Sequence, residues 1–413
     1  MRISEYSRRL IMSCTQELDK VFEGFDRNAL CVEERVLEAF ANNRVSTRHF
    51  APSYGYGYDD IGRDALDQVF ANVFEAEDAL VRPQLANGTH TLFTALAGLT
   101  EPNEVIVSAT GAPYDTMETA IGLSGSQYSS LIRIGIGFEA VEMDGDKLNI
   151  PKVLERLIRS NARLLYVQRS RGYSSRDALS VEVIDELIQA AKRVKEDVIV
   201  FVDNCYGEFV EAHEPCYVGA DIVCGSLIKN PGGGLAPAGG YIAGKADLID
   251  RIAQRMTVPG TGREVGSYAA GYLPFYQGLF MAPHTVAQCL KGAALFAAAL
   301  EKLGYSTTPA STAARHDIVQ SITFGNKDAL IAFCKAVQAA SPIDSFVTPE
   351  PWDMPGYTDP VIMAAGTMIQ GATTELSCDG PIREPYTAYL QGSLSLEHAQ
   401  LAAMLTVDAL RKG

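Results

Sequence analysis

No run of apolar residues approaches the roughly 20 that a bilayer-crossing helix needs. The N-terminus alternates charged and apolar residues, so it lacks the apolar core of a signal peptide. Neither a membrane span nor a secretory leader is expected. The 8 cysteines, at positions 14, 31, 205, 216, 224, 289, 334 and 378, include no C-x-x-C pair. They read as reduced, mostly buried thiols in a cytoplasmic protein, and zinc-ligand spacings are missing, so no metal is expected. Positive charge is short: 35 Lys and Arg face 50 Asp and Glu, a net charge of −15. Such a surface repels polyanions, which argues against nucleic acid or an anionic membrane as partner. A G-x-x-x-x-G-K-[ST] loop is also absent, which disfavours a nucleotide-binding protein.

What is present is an ordinary globular composition, 47% hydrophobic and 21% charged, over 413 residues. That length exceeds what one core usually organises, so two or more lobes are expected. Helical periodicity runs through residues 1–45 and 64–74. Strand-like runs at 104–108, 141–143, 163–168, 198–202 and 221–224 alternate with helices at 150–158 and 181–195. Strand, helix, strand in repetition predicts right-handed crossovers and a mostly parallel sheet. Residues 266–303 read as a helical passage that Pro274 and Pro283 kink or break. Beyond it, strands at 321–324 and 361–363 and helices at 327–338 and 396–410 predict a smaller α+β lobe. The expected division is 1–78, a helical segment and loop; 79–290, a large α/β domain; and 291–413, a C-terminal α+β domain.

The stretch 197–244 organises the rest: DVIVFVDNCYGEFVEAHEPCYVGADIVCGSLIKNPGGGLAPAGGYIAG. Its two apolar runs end in residues with chemistry to offer, Asp203 after the first and Ser226 and Lys229 after the second. Ligands of open α/β sheets bind outside the carboxyl ends of the strands, so the acid and the lysine should converge on one crevice. Roughly ten residues link Lys229 to the next strand, 240–243, too few for a parallel crossover, so that strand should run antiparallel. An acid beside a pyridine nitrogen and a lysine for an aldehyde are what pyridoxal 5′-phosphate requires. The carboxylate keeps the ring nitrogen protonated, and a desolvated site keeps part of the lysine amine unprotonated. The substrate amine would displace Lys229, freeing it to take the Cα proton.

Other candidates gather around this pair. Asn87-Gly88-Thr89-His90 leads from a strand-like run with Pro83 into the apolar helix TLFTALAGL. Its capping residues and free amides suit a phosphate, with Gly88, Thr89 and His90 at the turn and no proton-transfer role for His90. Ser226 can bond the same phosphate. Tyr114 follows a Gly-Pro turn at a strand end and could stack on a flat ring. Arg171, in the loop 169–173, and Arg383, in the turn 379–386, are candidates for a substrate carboxylate, which a guanidinium grips with two hydrogen bonds. In the loop HFAPSYGYGYDDIGRD, Tyr56, Tyr58 or Arg63 could reach the active site of a neighbouring subunit.

The segments SYGYGYDDIGRD, LVRPQLANGTHT, TGAPYDTMETAIG, VQRSRGY, FVDNCYGEFVE, GSLIKNPGGGLAPAGGYIAG and REPYTAYLQG resemble the methionine γ-lyase-like family, also called aluminium-resistance proteins. That family is a branch of fold-type I pyridoxal phosphate enzymes similar to cystathionine β- and γ-lyases. The resemblance implies that Lys229 holds the cofactor aldehyde and that Asp203 partners the pyridine nitrogen. It makes Tyr114 the ring-stacking and catalytic tyrosine, and makes Gly88, Thr89 and Ser226 phosphate contacts. Tyr56 or Tyr58 would be lent by a neighbouring subunit, which implies a homodimer or homotetramer. Two departures stand out. Ile228 precedes Lys229 where the better-known lyases carry threonine, and residues 168–173 differ from their loop. The expected activity is carbon–sulfur bond elimination from cystathionine, methionine or cysteine. The alternatives are another reaction of the same cofactor, such as transamination, decarboxylation or racemisation, and a non-catalytic regulatory protein that binds the cofactor.

Overall fold

The computed structural model describes residues 3–125, 128–174, 176–354 and 359–411. The chain opens with α1 (Glu5–Glu17), α2 (Asp19–Asn42) and α3 (Ile61–Val73). The first lobe then follows: β1 (Asp78–Arg82), α4 (Gly88–Leu99), β2 (Val105–Ser108), α5 (Asp115–Ile121), β3 (Gly137–Ala140), α6 (Ile150–Arg159), β4 (Ala162–Gln168), α7 (Val181–Val194), β5 (Ile199–Asp203), β6 (Ile222–Ser226), β7 (Gly240–Gly244) and α8 (Ala246–Met256). Helix α9 (Leu273–Lys302) leads into β8 (Ser306–Thr308), β9 (Val319–Thr323), α10 (Lys327–Ala340), β10 (Val361–Ala364), β11 (Ser377–Pro381), β12 (Thr387–Gln391) and α11 (Leu396–Leu410).

The first lobe is built on a 7-stranded sheet of order β1-β7-β6-β5-β4-β2-β3. Only β7 runs against its neighbours β1 and β6, as the short link after Lys229 predicts. Side chains alternate across the sheet. Val200 and Val202 enter the core on one face, Ile199 and Phe201 the core on the other. Both faces are covered, which is why these strands read as unbroken apolar runs. The second lobe carries a 5-stranded sheet of order β10-β11-β12-β9-β8, antiparallel throughout. Helix α9 belongs to both cores. Phe275 to Leu290 pack in the first, and Ala294 to Leu300 in the second, together with Ile11 and Cys14 of α1. The fold is thus the fold-type I arrangement expected from the sequence.

Three expectations need correcting. The third strand of the first lobe is β3, Gly137–Ala140, and not 141–143. It lies at the sheet edge with no fully buried residue, so its apolar signal is faint and buried Val141 just after it is louder. Helix α9 starts at Leu273 with Pro274 in its first turn, where a missing amide is harmless, and it continues through Pro283 without ending. The rigid turn expected over 379–386 begins inside a strand, because Asp379, Gly380 and Pro381 complete β11. Among the described residues, no helix is long and apolar enough to cross a membrane.

Candidate active site

Strands β5 and β6 lie side by side and end in Asp203 and Ser226. Lys229 follows in a tight turn that Asn230 fixes, its side-chain amide donating to the carbonyls of Tyr206 and Glu208 at 3.0 and 2.9 Å. Gly232 and Gly233 lie directly against α9. A Cβ at Gly278 would stand 2.3 Å from the Gly232 carbonyl, and one at Gly233 would stand 2.2 Å from the Gly278 carbonyl. These glycines therefore serve backbone packing that holds the lysine turn in place.

Asp203 is buried, with Oδ1 accepting from the Cys205 amide at 3.2 Å and Oδ2 from the Tyr166 hydroxyl at 3.3 Å. Burial pushes its carboxyl above the ordinary value, opposed by Lys229 and these donors. The Nζ of Lys229 sits 3.9 Å from the centroid of the Tyr206 ring. Burial disfavours its ammonium, but Cys205, Tyr206, Asp203 and Tyr114 outweigh burial and hold the amine above its ordinary range. Desolvation thus acts on the amine in the expected direction, and these neighbours pull the other way.

The start of α4 forms the next wall. Asn87 caps it by accepting from the His90 amide at 2.8 Å, leaving Gly88 and Thr89 in the first turn beside Ser226. Thr89 Oγ1 shares a hydrogen bond with the Tyr114 hydroxyl at 2.9 Å, and the Tyr114 amide donates to Gln168 Oε1 at 3.1 Å. Burial, then the nearby Asp203, pushes the Tyr114 hydroxyl up, so it stays protonated.

The second lobe closes the cavity, whose volume is about 490 Å³. Asp379 of β11, Tyr389 and Gln391 of β12, Met363 of β10 and Val319 of β9 all line it. Tyr173 bridges the lobes, its hydroxyl donating to Asp379 Oδ2 at 2.8 Å and its carbonyl accepting from the Tyr389 hydroxyl at 2.7 Å. Burial pushes the Asp379 carboxyl up to about 6, with the Tyr173 hydrogen bond pulling the other way.

The cavity gathers Gly88, Thr89, Tyr114, Asp203, Ser226 and Lys229. The other candidates lie elsewhere. His90 is exposed, outside the cavity lining, and accepts from the Ala86 amide at 3.0 Å. Arg171 is buried behind the wall, donating to the Thr308 carbonyl at 2.9 Å and to Asp177 at 3.3 Å, so its side chain braces the two lobes. Arg383 is half exposed beside Asp359 at 3.3 Å and outside the lining; burial pushes Asp115 and Tyr389 of the lining up, and Arg383 is close enough to oppose it. Arg63 cannot reach a neighbouring subunit, because it is buried and donates to the Gly57 carbonyl at 2.8 Å within its own loop. Tyr56 and Tyr58 do project, 73% and 63% exposed, with rings 5.5 Å apart. Residues that sequence reasoning missed are Cys205, Tyr206, Gln168, Asp379 and Tyr389. The first two lie two and three residues after Asp203, which was the available signal. The others come together only through tertiary contact.

A family model described as methionine gamma-lyase matches residues 7–411. The uncharacterized protein YnbB of Bacillus subtilis (strain 168) is 50% identical over 379 residues, 92% of this chain and 90% of YnbB. Among solved structures, a carbon–sulfur lyase involved in aluminium resistance from Clostridium novyi NT is 45% identical with a TM-score of 0.94, covering 98% of this chain and 96% of that one. The pyridoxal-5′-phosphate-dependent protein YhfS from Escherichia coli, 18% identical with a TM-score of 0.61 over 95% of this chain and 96% of that one, shares the fold alone. The chain belongs to the methionine γ-lyase family, a family of pyridoxal-phosphate-dependent lyases, as the motifs around Lys229 led us to expect.

Proposed function

We propose that the protein is a pyridoxal-phosphate-dependent carbon–sulfur lyase acting on a sulfur amino acid, releasing a thiol, a 2-oxo acid and ammonia. The observation that carries this reading is the placement of Lys229, in the turn after β6, in the same cavity wall as the buried Asp203 at the end of the adjacent strand β5. The residues fit the cofactor. Lys229 would hold its aldehyde carbon, Asp203 would face the ring nitrogen, and Tyr114 would lie against the ring. The free amides at the start of α4, with Thr89 and the Ser226 hydroxyl, would take the phosphate. When bound, the cofactor supplies the electron sink that lets a Cα proton leave.

The protein's own groups supply the rest. Lys229 Nζ is the only Lys, Arg or His side chain among the described residues lining the cavity, so it is the base for the substrate's Cα proton. Tyr206 confines that amine beneath it. The protonated Tyr114 hydroxyl, hydrogen-bonded to Thr89, would donate to the departing sulfur. Arg383 stands near the mouth, where a substrate carboxylate would pass. The projecting Tyr56 and Tyr58 lie outside the cavity of their own chain, which supports a homo-oligomer that lends them to a neighbour. The cysteines stand as free thiols, which suits the cytoplasm.

The test is a screen of purified, cofactor-loaded protein against cystathionine, methionine and cysteine, reading thiol and keto acid without an added acceptor. Lys229→Ala should lower thiol release by roughly 10³-fold or more, within the range of a lost acid–base group. Thiol release that survives this substitution, or a product that requires a keto-acid acceptor, would overturn the reading.

A further inference from the structure

The wall contributed by the second lobe holds a carboxylate with no cation beside it. Asp379 enters the cavity from β11, paired in register with Met363 on one side and Tyr389 on the other. Its Oδ2 accepts from the Tyr173 hydroxyl, and no Lys, Arg or His within ion-pair distance answers its charge among the described residues. Among the described residues, the titratable groups that face it are Tyr173, Tyr206, Tyr389 and Cys378, none of which can supply a positive charge. The cations nearest the cavity are engaged elsewhere, Lys229 over the Tyr206 ring and Arg383 beside Asp359. Asp379 is only partly exposed, and a carboxylate so placed in a binding cavity without a counter-ion is completed by what binds there.

The company of Asp379 indicates the missing group. The rings of Tyr173 and Tyr389 lie 5.0 Å apart at 33°, and Tyr206 already carries the Lys229 ammonium at 3.9 Å. Aromatic faces around a carboxylate recognise an ammonium, by cation–π attraction and a charge-assisted hydrogen bond. We infer that Asp379, with Tyr173 and Tyr389, selects substrates whose side chain ends in a second ammonium group: thioether diamino acids over neutral thioethers such as methionine. This rests on the reading of the cavity as an amino-acid site. Asp379 is a specificity residue at the far end of the substrate, across from the lysine that works at Cα.

The experiment separates the two readings by measuring binding apart from turnover. Cofactor-loaded protein is titrated calorimetrically with L-ornithine, L-lysine and L-norleucine, in wild type, Asp379→Asn and Asp379→Glu. Norleucine matches ornithine in length and lacks only the distal ammonium. The wild type should bind at least one diamino acid roughly tenfold or more tightly than norleucine, the scale of a charge-assisted hydrogen bond. The ratio should fall toward one in Asp379→Asn and recover in part in Asp379→Glu. It should also shrink in the wild type as pH falls through about 6, where the Asp379 carboxyl gains its proton. Equal binding of all three amino acids by the wild type, or a preference that survives Asp379→Asn, overturns the inference while leaving thiol release to stand. A preference retained in protein that releases no thiol supports the inference and removes the lyase reading instead.

Discussion

The two walls of the cavity are built on opposite principles. The first lobe contributes Asp203, Ser226 and Lys229 from the ends of buried parallel strands, and the turn after them is locked by Asn230 and by glycine packing on α9. Asp203 and the Asn230 side-chain amide find their partners inside that same lobe. The second lobe contributes Asp379, Tyr389 and Gln391 from an antiparallel sheet, and its charged member has no cation of its own. One wall is complete as folded, which suits a fixed cofactor. The other is left to be completed by what enters, which suits a variable substrate.

Substitutions can break this contrast, and the largest effect belongs to the complete wall. Asp203→Ala leaves the Cys205 amide and the Tyr166 hydroxyl without their acceptor, roughly 1–3 kcal/mol for each donor left unpaired. We expect a clear loss of stability in urea denaturation, and a fall in kcat of roughly 10²–10³-fold, the scale of one preorganised electrostatic group. A variant as stable and as active as wild type would mean that the pair is not what organises the site.

On the incomplete wall the sign reverses. The Asp379 carboxyl titrates at about 6 in the folded protein, against 3.8 ordinarily, so the folded chain keeps a proton that the unfolded chain has released. Stability therefore falls as pH rises from about 4 to about 6, and stays lower above that window. Asp379→Asn should remove this penalty, making the variant more stable at pH 7.5 by roughly 1 kcal/mol after allowance for partial exposure. The gain should vanish near pH 4. Thermal melts at both pH values check it, and a variant less stable at both would show that the carboxylate is part of the scaffold. The smallest effect is expected at the mouth. Arg383→Ala removes an exposed ion pair to Asp359, so KM should change by less than about threefold and stability by less than about 0.5 kcal/mol. A larger rise in KM would place a substrate carboxylate on this arginine.

The same contrast explains what could be read in advance. Strands buried on both faces announce themselves as apolar runs, and a polar residue at the end of such a run must lie at the sheet's carboxyl edge. Asp203 and Lys229 were legible for that reason, as was antiparallel β7 from the length of its connection. Arg171 was misread because a cationic loop at a strand end looks the same whether it faces the cavity or braces the lobes. His90 was misplaced for a similar reason: its neighbours Gly88 and Thr89 turn inward while its ring turns out to the Ala86 amide. Asp379 sits in a strand of mixed character, SCDGP, that carries glycine and proline, so local pattern suggested a turn.

Local sequence by itself determined the parallel sheet, its one reversed strand and the acid and lysine at its edge, because each follows from short-range hydrophobic pattern and connection length. Only the tertiary structure decided that Tyr173, Asp379 and Tyr389, separated by 206 residues between the first two, share one wall. It alone also turned Arg63 and Arg171 inward. Those outcomes depend on how two lobes dock, and docking is set by the summed shape and burial of both surfaces rather than by any single stretch of chain.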